Sequence, residues 1–404
     1  DVMDAYVARQ PIFDAEKAVF AYELLFRDGL KNVVPDIDGD VATSKLLSSS
    51  YFTIGIDKVT AGKRAFINFT QNLLEKEIPL MFPSETTVVE ILEDVRPEPD
   101  LIASCRNIAG RGYMMALDDF VFHAELSPLL DLADIVKVDF QLTPMDEIAR
   151  IVENLSGYQG KLLAEKVETF GEFRDAAAMG FEYFQGYFFS EPEILKGRDI
   201  SGSDMRLLRL IAEVNQEEYN FERIESILSA DVSISFKLLR YINSAFFHSR
   251  REITSIKHAV LHLGQKEMRR FVSLIAMSKI ADAKPDELVR AACIKAKFCE
   301  QLACIDGCGE NPGQMFTLGL FSNIDAILDQ PMAEIMKQLP LADRIKTALT
   351  DGSNDLGQYL ALSRHYERGE WDKVCRISAA LEISECEIQS IYLESCEWAD
   401  GLTP

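Results

Sequence analysis

The chain has 404 residues, more than one ordinary domain holds, so two or three domains are expected. Its hydrophobic share of 48% and charged share of 26% are those of a soluble protein with a full core. A net charge of −23 excludes bulk binding to nucleic acid, whose phosphates it repels. A small phosphate ligand stays compatible with it, because bound metal can invert the local charge. No apolar run approaches the roughly 18 residues of a membrane span. The start, DVMDAYVARQPIF, is acidic and has no targeting core. Eight cysteines lack framework spacing, which points to reduced thiols and a cytoplasmic protein.

In chain order, strand-like runs at 5–13 (AYVARQPIF) and 18–27 (AVFAYELLFR) flank a DAEK turn and predict an antiparallel hairpin. Short apolar and β-branched runs then recur near 64–69, 87–92, 113–118, 135–139, 161–165 and 182–188. Stretches of helical period lie between them, such as DLIASCRNIAGRG and EFRDAAAMG. This alternation predicts βαβ units on a parallel sheet. Eight strands fit a (β/α) TIM-like barrel whose first strand pair is antiparallel, with chemistry at the C-terminal strand ends. The segment EPEILKGRDISGSD, with Pro192, Gly197 and Gly202, predicts a boundary. From Met205 onward, MRLLRLIAEVN, QKEMRRFVSLIAMSKIA and ELVRAACIKAKFCEQLA carry apolar residues at helical spacing. Gly264 predicts a helix stop. The fold class is therefore α/β plus all-α: a barrel over 1–197, a linker over 198–204 and an all-helical domain over 205–404.

Ten polar residues stand at the ends of the apolar runs: Glu23, Asn68, Glu90, Glu93, Asp118, Asp119, Lys137, Glu165, Glu168 and Gln185. Seven are carboxylates, which repel one another unless a cation sits among them. Phosphodiester hydrolysis needs a nucleophilic water, neutralised phosphoryl oxygens and a stabilised leaving oxygen. Two hard divalent cations about 3.5–4 Å apart supply all three. Carboxylate and amide oxygens, with almost no histidine, suit Mg²⁺ or Mn²⁺ over Zn²⁺. The alternative is a rim of carboxylates that are simply solvated or paired with Lys and Arg.

RQPIF and YELLFR, then INFT, VVEILE, ALDDF, VKVD, AEKVET and FQGYFFSEP, keep the order and spacing of a known family. Over about residues 5–195 the chain resembles an EAL domain, the cyclic di-GMP phosphodiesterase family. The resemblance implies that Glu23, Asn68, Glu90 and Asp118 hold metal, with Asp119 at a second ion. It implies that Lys137 stands near the attacking water and that Glu165 is the general base. Glu168 would assist catalysis. Gln185, Gln10 and Arg27 would bind substrate, with Arg27 meeting a phosphate, and Glu93 would brace the loop after Asp119. Three departures stand out: Leu24 replaces the middle Ala of the name-giving triplet, Leu92 replaces a Thr, and Lys166 replaces a Gly. Lys166 puts a long cation beside Glu165, where it would lower that carboxyl's pKa or fill the pocket. The family's glycine-rich DFGTGYSS loop is here DFVFHAELS, with Val121, Phe122 and His123 in place of flexible residues.

FERIESILSADVSISFKLLRYINSAFF and ITSIKHAVLHLGQKEMRRFVSLIAM resemble an HDOD domain, a helical relative of the HD phosphohydrolases. In place of that enzyme family's metal-binding His-Asp pair stand Ser322 and Asn323, so no hydrolysis is expected there. Lys266, Arg269 and Arg270 form a small basic cluster, read as a solvated face or a partner-docking patch. The resemblance implies a cyclic di-GMP phosphodiesterase governed by a helical regulatory domain, with an unidentified protein partner and a homodimer as further expectations. The alternatives are a cyclic di-GMP receptor that does not cut, or a protein-interaction scaffold.

Overall fold

The computed structural model describes residues 7–26, 56–120, 124–192, 200–214, 256–281, 284–305 and 309–401. Arg27 and residues 121–123 lie outside the described residues.

Eight strands close into a barrel in sequence order: β1 (Val7–Asp14), β2 (Val19–Phe26), β3 (Arg64–Phe69), β4 (Thr87–Ile91), β5 (Met114–Leu117), β6 (Ile135–Asp139), β7 (Lys161–Glu165) and β8 (Tyr183–Gln185). β1 runs antiparallel to β2 and to β8, and every other neighbouring pair is parallel. The hairpin turn is made by Asp14, whose carbonyl accepts from Lys17 N at 3.0 Å and whose carboxylate accepts from Ala18 N at 2.8 Å. Helices between the strands include α1 (Pro99–Gly110), α2 (Met145–Asn154) and α3 (Phe170–Ala178). Thr169 and Glu172 close a reciprocal capping box that starts α3.

The barrel interior is packed. Ile12, Ala21, Phe66, Val88, Ala116, Ile135, Leu163 and Tyr183, one from each strand, form a buried apolar layer. β8 is shorter than the 182–188 run suggests. Gly186 ends it at φ +144°, where an added Cβ would lie 2.1 Å from the Val167 carbonyl oxygen. Val167 N donates to Gln185 O at 2.9 Å, so the two backbones meet too closely for a side chain.

Beyond the barrel the described elements are helices: α4 (Gly202–Val214), α5 (Ile256–Ile280), α6 (Asp286–Leu302), α7 (Pro312–Phe321), α8 (Ile324–Leu328), α9 (Met332–Gln338), α10 (Asp343–Thr350), α11 (Asp355–Glu367), α12 (Trp371–Ala380) and α13 (Glu385–Asp400). Gly264 takes a non-helical backbone (φ +71°, ψ 174°) and separates two helical segments within α5, at the stop that the sequence predicts. One member of the basic cluster is buried, while the Lys266 side chain lies outside the described residues. Arg270 is 7% exposed and pairs with Glu267 and Glu300, so its charge is spent inside the fold.

The domain division differs from the expected 205–404 helical domain. One compact unit combines Asp1–Glu191 with Ala361–Pro404, and the other is Pro192–Leu360. The reason is specific packing on β1. Arg9 of β1 stacks on Tyr22 and pairs with Asp400 at 3.2 Å, and the Tyr366 hydroxyl donates to Val7 O at 3.4 Å. Helical periodicity alone does not tell which core a helix joins.

Candidate active site

Strand side chains alternate faces, so positions two apart share one face. Two residues along from each member of the apolar layer, toward the same mouth of the barrel, come Gln10, Glu23, Asn68, Glu90, Asp118, Lys137, Glu165 and Gln185. The sheet register sets several of them side by side: Gln10 with Glu23, Asn68 with Glu90, and Asp139 with Glu165. The fold thus turns residues scattered over the sequence into one polar ring.

Lys137 is fully buried at the centre of this ring. Its Nζ lies 2.8 Å from Asp118 Oδ1, 2.8 Å from Glu165 Oε1 and 3.8 Å from Glu23 Oε2, and it also pairs with Glu90. Glu23 accepts from Asn68 Nδ2 at 3.1 Å and from Gln185 Nε2 at 2.6 Å. Gln185 Nε2 also donates to Gln10 Oε1 at 3.0 Å. This is the cation that the clustered carboxylates require.

Burial pushes the Glu90 and Glu165 carboxyls well above the usual range; Lys137 opposes the shift, while neighbouring carboxylates add to it. Burial also raises Asp119, with Asp118 adding to it. Burial acts to lower the Lys137 ammonium, but Asp118, Glu165, Glu23 and Glu90 together hold it well above its ordinary value.

Asp139 belongs to the site and was not singled out in the sequence. It is 3% exposed; its Oδ1 accepts from Gln141 N at 2.6 Å and Leu142 N at 2.8 Å, while its Oδ2 pairs with Lys166. A signal was present: Asp139 lies two residues past Lys137 on the same face of β6. Lys166 takes the left-handed backbone (φ +53°) that favours glycine. Its ammonium goes to Asp139, so it does not fill the space among Glu23, Asn68, Glu90 and Asp118. Glu165 is raised rather than lowered, with burial as the first cause.

A cavity of about 520 Å³ opens above the ring. Gln10, Glu23, Asn68, Glu93, Asp118, Asp119, Glu165, Glu168 and Gln185 line it, together with Arg368 and Glu370 from the C-terminal segment. Glu168 is exposed and accepts from Gln141 Nε2 at 2.5 Å. Glu93 is exposed at the rim, and the loop assigned to it includes the undescribed residues 121–123.

The donor set fits a hard divalent cation. Buried Asn68 Oδ1, Glu90 Oε2 and Asp119 Oδ1 have no hydrogen-bond donor. Asp118, Asp119 and Glu165 each offer an oxygen within 4.8 Å of the others. Oxygen donors without histidine or thiolate match Mg²⁺ or Mn²⁺ chemistry. In the helical unit, Asn323 Oδ1 instead accepts from Lys295 Nζ at 3.0 Å and from Ser322 Oγ at 3.0 Å.

Residues 47–192 match the EAL domain family, and residues 204–351 match the HDOD domain family. Cyclic di-GMP phosphodiesterase CdgJ of Vibrio cholerae is 37% identical over 400 residues, covering 98% of this chain and 93% of the relative. The chain belongs to the EAL–HDOD family. A second EAL–HDOD-length relative, the uncharacterized protein YuxH of Bacillus subtilis, is 37% identical over 99% of each chain. A standalone EAL protein from Vibrio cholerae O395, solved in a c-di-GMP bound form, is 26% identical; it covers 46% of this chain and 91% of its own, with a TM-score of 0.36. Among the described residues, no helix of this EAL–HDOD chain is long and apolar enough to cross a membrane. Neither family match reaches Ala361–Pro404, the segment that packs with the barrel.

Proposed function

We propose that the barrel hydrolyses cyclic di-GMP to the linear dinucleotide with the help of divalent cations, Mg²⁺ or Mn²⁺. The observation that carries this reading is the ring of carboxylate and amide groups around Lys137, several of whose buried oxygens lack any donor. The near-full-length likeness to CdgJ supports the same substrate.

In this reading Glu23, Asn68, Glu90 and Asp118 hold one cation and Asp119 serves a second. When bound, the cations draw charge from phosphoryl oxygens and acidify water. Glu165 takes the proton of the attacking water as general base. Its upward-shifted carboxyl lies closer to neutrality, where a base is most effective. Lys137 fixes Glu165 and Asp118 at 2.8 Å each and sets a positive charge beside the phosphorane-like transition state. Water oxygen bonds to phosphorus, one P–O bond to ribose breaks, and the departing oxygen takes up a proton. Glu168 assists at the rim, Gln10 and Gln185 present amides to the ligand, and Arg27 meets a phosphate. The helical unit serves as the regulatory or partner-binding module, and Asn323 there is held by Lys295 rather than offered to a metal.

Purified full-length protein incubated with Mn²⁺ and cyclic di-GMP is expected to release the linear dinucleotide, read by chromatography. Absence of that product at high enzyme concentration, with binding retained in calorimetry, would leave a receptor that does not cut. Absence of both product and binding would leave a scaffold.

A further inference from the structure

We propose that Arg368, from the C-terminal segment beyond both family matches, is a substrate-recognition residue that holds the phosphate of cyclic di-GMP not being cut. The proposal rests on the phosphodiesterase reading above.

The segment is anchored to the barrel by buried contacts. Arg9, whose side chain is 2% exposed, pairs with Asp400. The Tyr366 ring packs on Tyr392 at 4.5 Å and on Trp371 at 5.2 Å, and its hydroxyl reaches Val7 of β1. α11 then ends in a left-handed glycine cap. Gly369 sits at φ +64°; Gly369 N donates to Tyr366 O at 3.0 Å, and Glu370 N donates to His365 O at 3.0 Å. That turn sends Arg368 and Glu370 to the wall of the catalytic cavity.

The two residues are used differently. Glu370 is already paired, with His365 Nδ1 and with Lys373 Nζ at 3.0 Å, and its carboxyl is lowered because those partners outweigh burial. The Arg368 guanidinium lies 4.3 Å from the centre of the Tyr187 ring, and its Nε is buried without a hydrogen-bond partner. Contact with an aromatic face fixes the plane of a guanidinium, and the donors that the Tyr187 hydroxyl does not take remain for a ligand. Tyr187 itself follows Gly186, whose backbone lies against that of Val167.

Charge decides what such a fork would take. Carboxylates dominate the cavity lining, and the cations among its described residues are Lys166 and Arg368. Lys166 is spent on Asp139. In the mechanism proposed above, the carboxylate ring, with the cations it would hold, serves the phosphate being cut. A cyclic dinucleotide brings a second phosphate, which a purely acidic wall would repel. A planar guanidinium fork matches phosphate oxygens in a bidentate way.

The test is steady-state hydrolysis of cyclic di-GMP by full-length wild-type, Arg368→Gln and Arg368→Lys proteins with Mn²⁺, each checked for an unchanged melting temperature. Arg368→Gln is expected to raise KM about tenfold to a hundredfold while kcat stays within about threefold. Its KM should also depend less steeply on ionic strength than that of wild type, because one phosphate contact is gone. Arg368→Lys should recover the salt dependence and part of the affinity. Wild-type turnover with an unchanged KM in Arg368→Gln overturns this assignment and leaves the phosphodiesterase reading intact. A raised KM with unaltered salt dependence also overturns it, since the contact would then be to guanine rather than phosphate. A wild type that neither binds nor cuts the dinucleotide overturns both.

Discussion

Two buried polar clusters in this protein look alike on paper and differ in kind. In the helical unit, Asn323 Oδ1 accepts from Lys295 Nζ and from Ser322 Oγ. In the barrel, Lys137 serves four carboxylates at once, and oxygens of Asn68, Glu90 and Asp119 still have no donor. A cluster whose members satisfy one another specifies a fold. A cluster that leaves hard oxygens unsatisfied inside a cavity is built for something that arrives later.

The largest effect should separate the two clusters by activity. Glu165→Gln is expected to lower the rate of cyclic di-GMP opening about 10²- to 10⁴-fold. Asn323→Ala should leave it within about twofold. Comparable losses in the two variants, measured in one product assay, would erase the distinction.

Stability should separate them next. Lys137→Met leaves buried Glu90 and Glu165, and part-buried Asp118, without their shared cation, at a cost of about 3–5 kcal/mol in the metal-free protein. Lys295→Met leaves Asn323 still bonded to Ser322, at a cost of about 1–2 kcal/mol. Denaturant melts of the two variants in chelator test this order, and equal losses would contradict it.

Acidity gives a third contrast. Glu90, Glu165 and Asp119 have carboxyls raised above their ordinary values, so in the absence of metal they bind protons further toward neutrality. Cations and protons then compete for the same oxygens, and metal binding releases protons. Mn²⁺ affinity measured by calorimetry should therefore rise between pH 6 and pH 8. An affinity that is flat or falls over that range would mean the carboxylates are already ionised.

The smallest effect is expected at Lys166. Lys166→Gly relieves a left-handed side chain, worth about 1–2 kcal/mol. It also removes a half-exposed ion pair worth under about 1 kcal/mol and loosens the unfolded chain. These nearly cancel, so stability should change by less than about 1 kcal/mol. A loss above about 2 kcal/mol would make Lys166 a structural anchor of Asp139.

The barrel was legible because its strands are short, apolar and evenly spaced, and because strand alternation ties each polar residue to the apolar one two positions before it. Asp139 was readable by that same rule and was passed over beside Lys137. Gly186 shortened β8 for a reason the sequence does not display, the approach of the Val167 backbone. Arg270 read as surface charge because its partner Glu300 lies on another helix. Arg368 carried no local signal at all. Its placement depends on Tyr366 finding Val7 and on Asp400 finding Arg9, contacts between the two ends of the chain.

The one-per-strand ring and the apolar layer beneath it imply that the barrel has a structural reading frame. A single-residue deletion in β3 ahead of Phe66 would turn Phe66 and Asn68 outward together, losing core and chemistry in one step. A two-residue insertion ahead of Phe66 would keep both facing inward, but would carry the Phe66 ring to the rim position that Asn68 holds. Substitutions can therefore explore this site one residue at a time, whereas insertions and deletions are confined to the connections between strands.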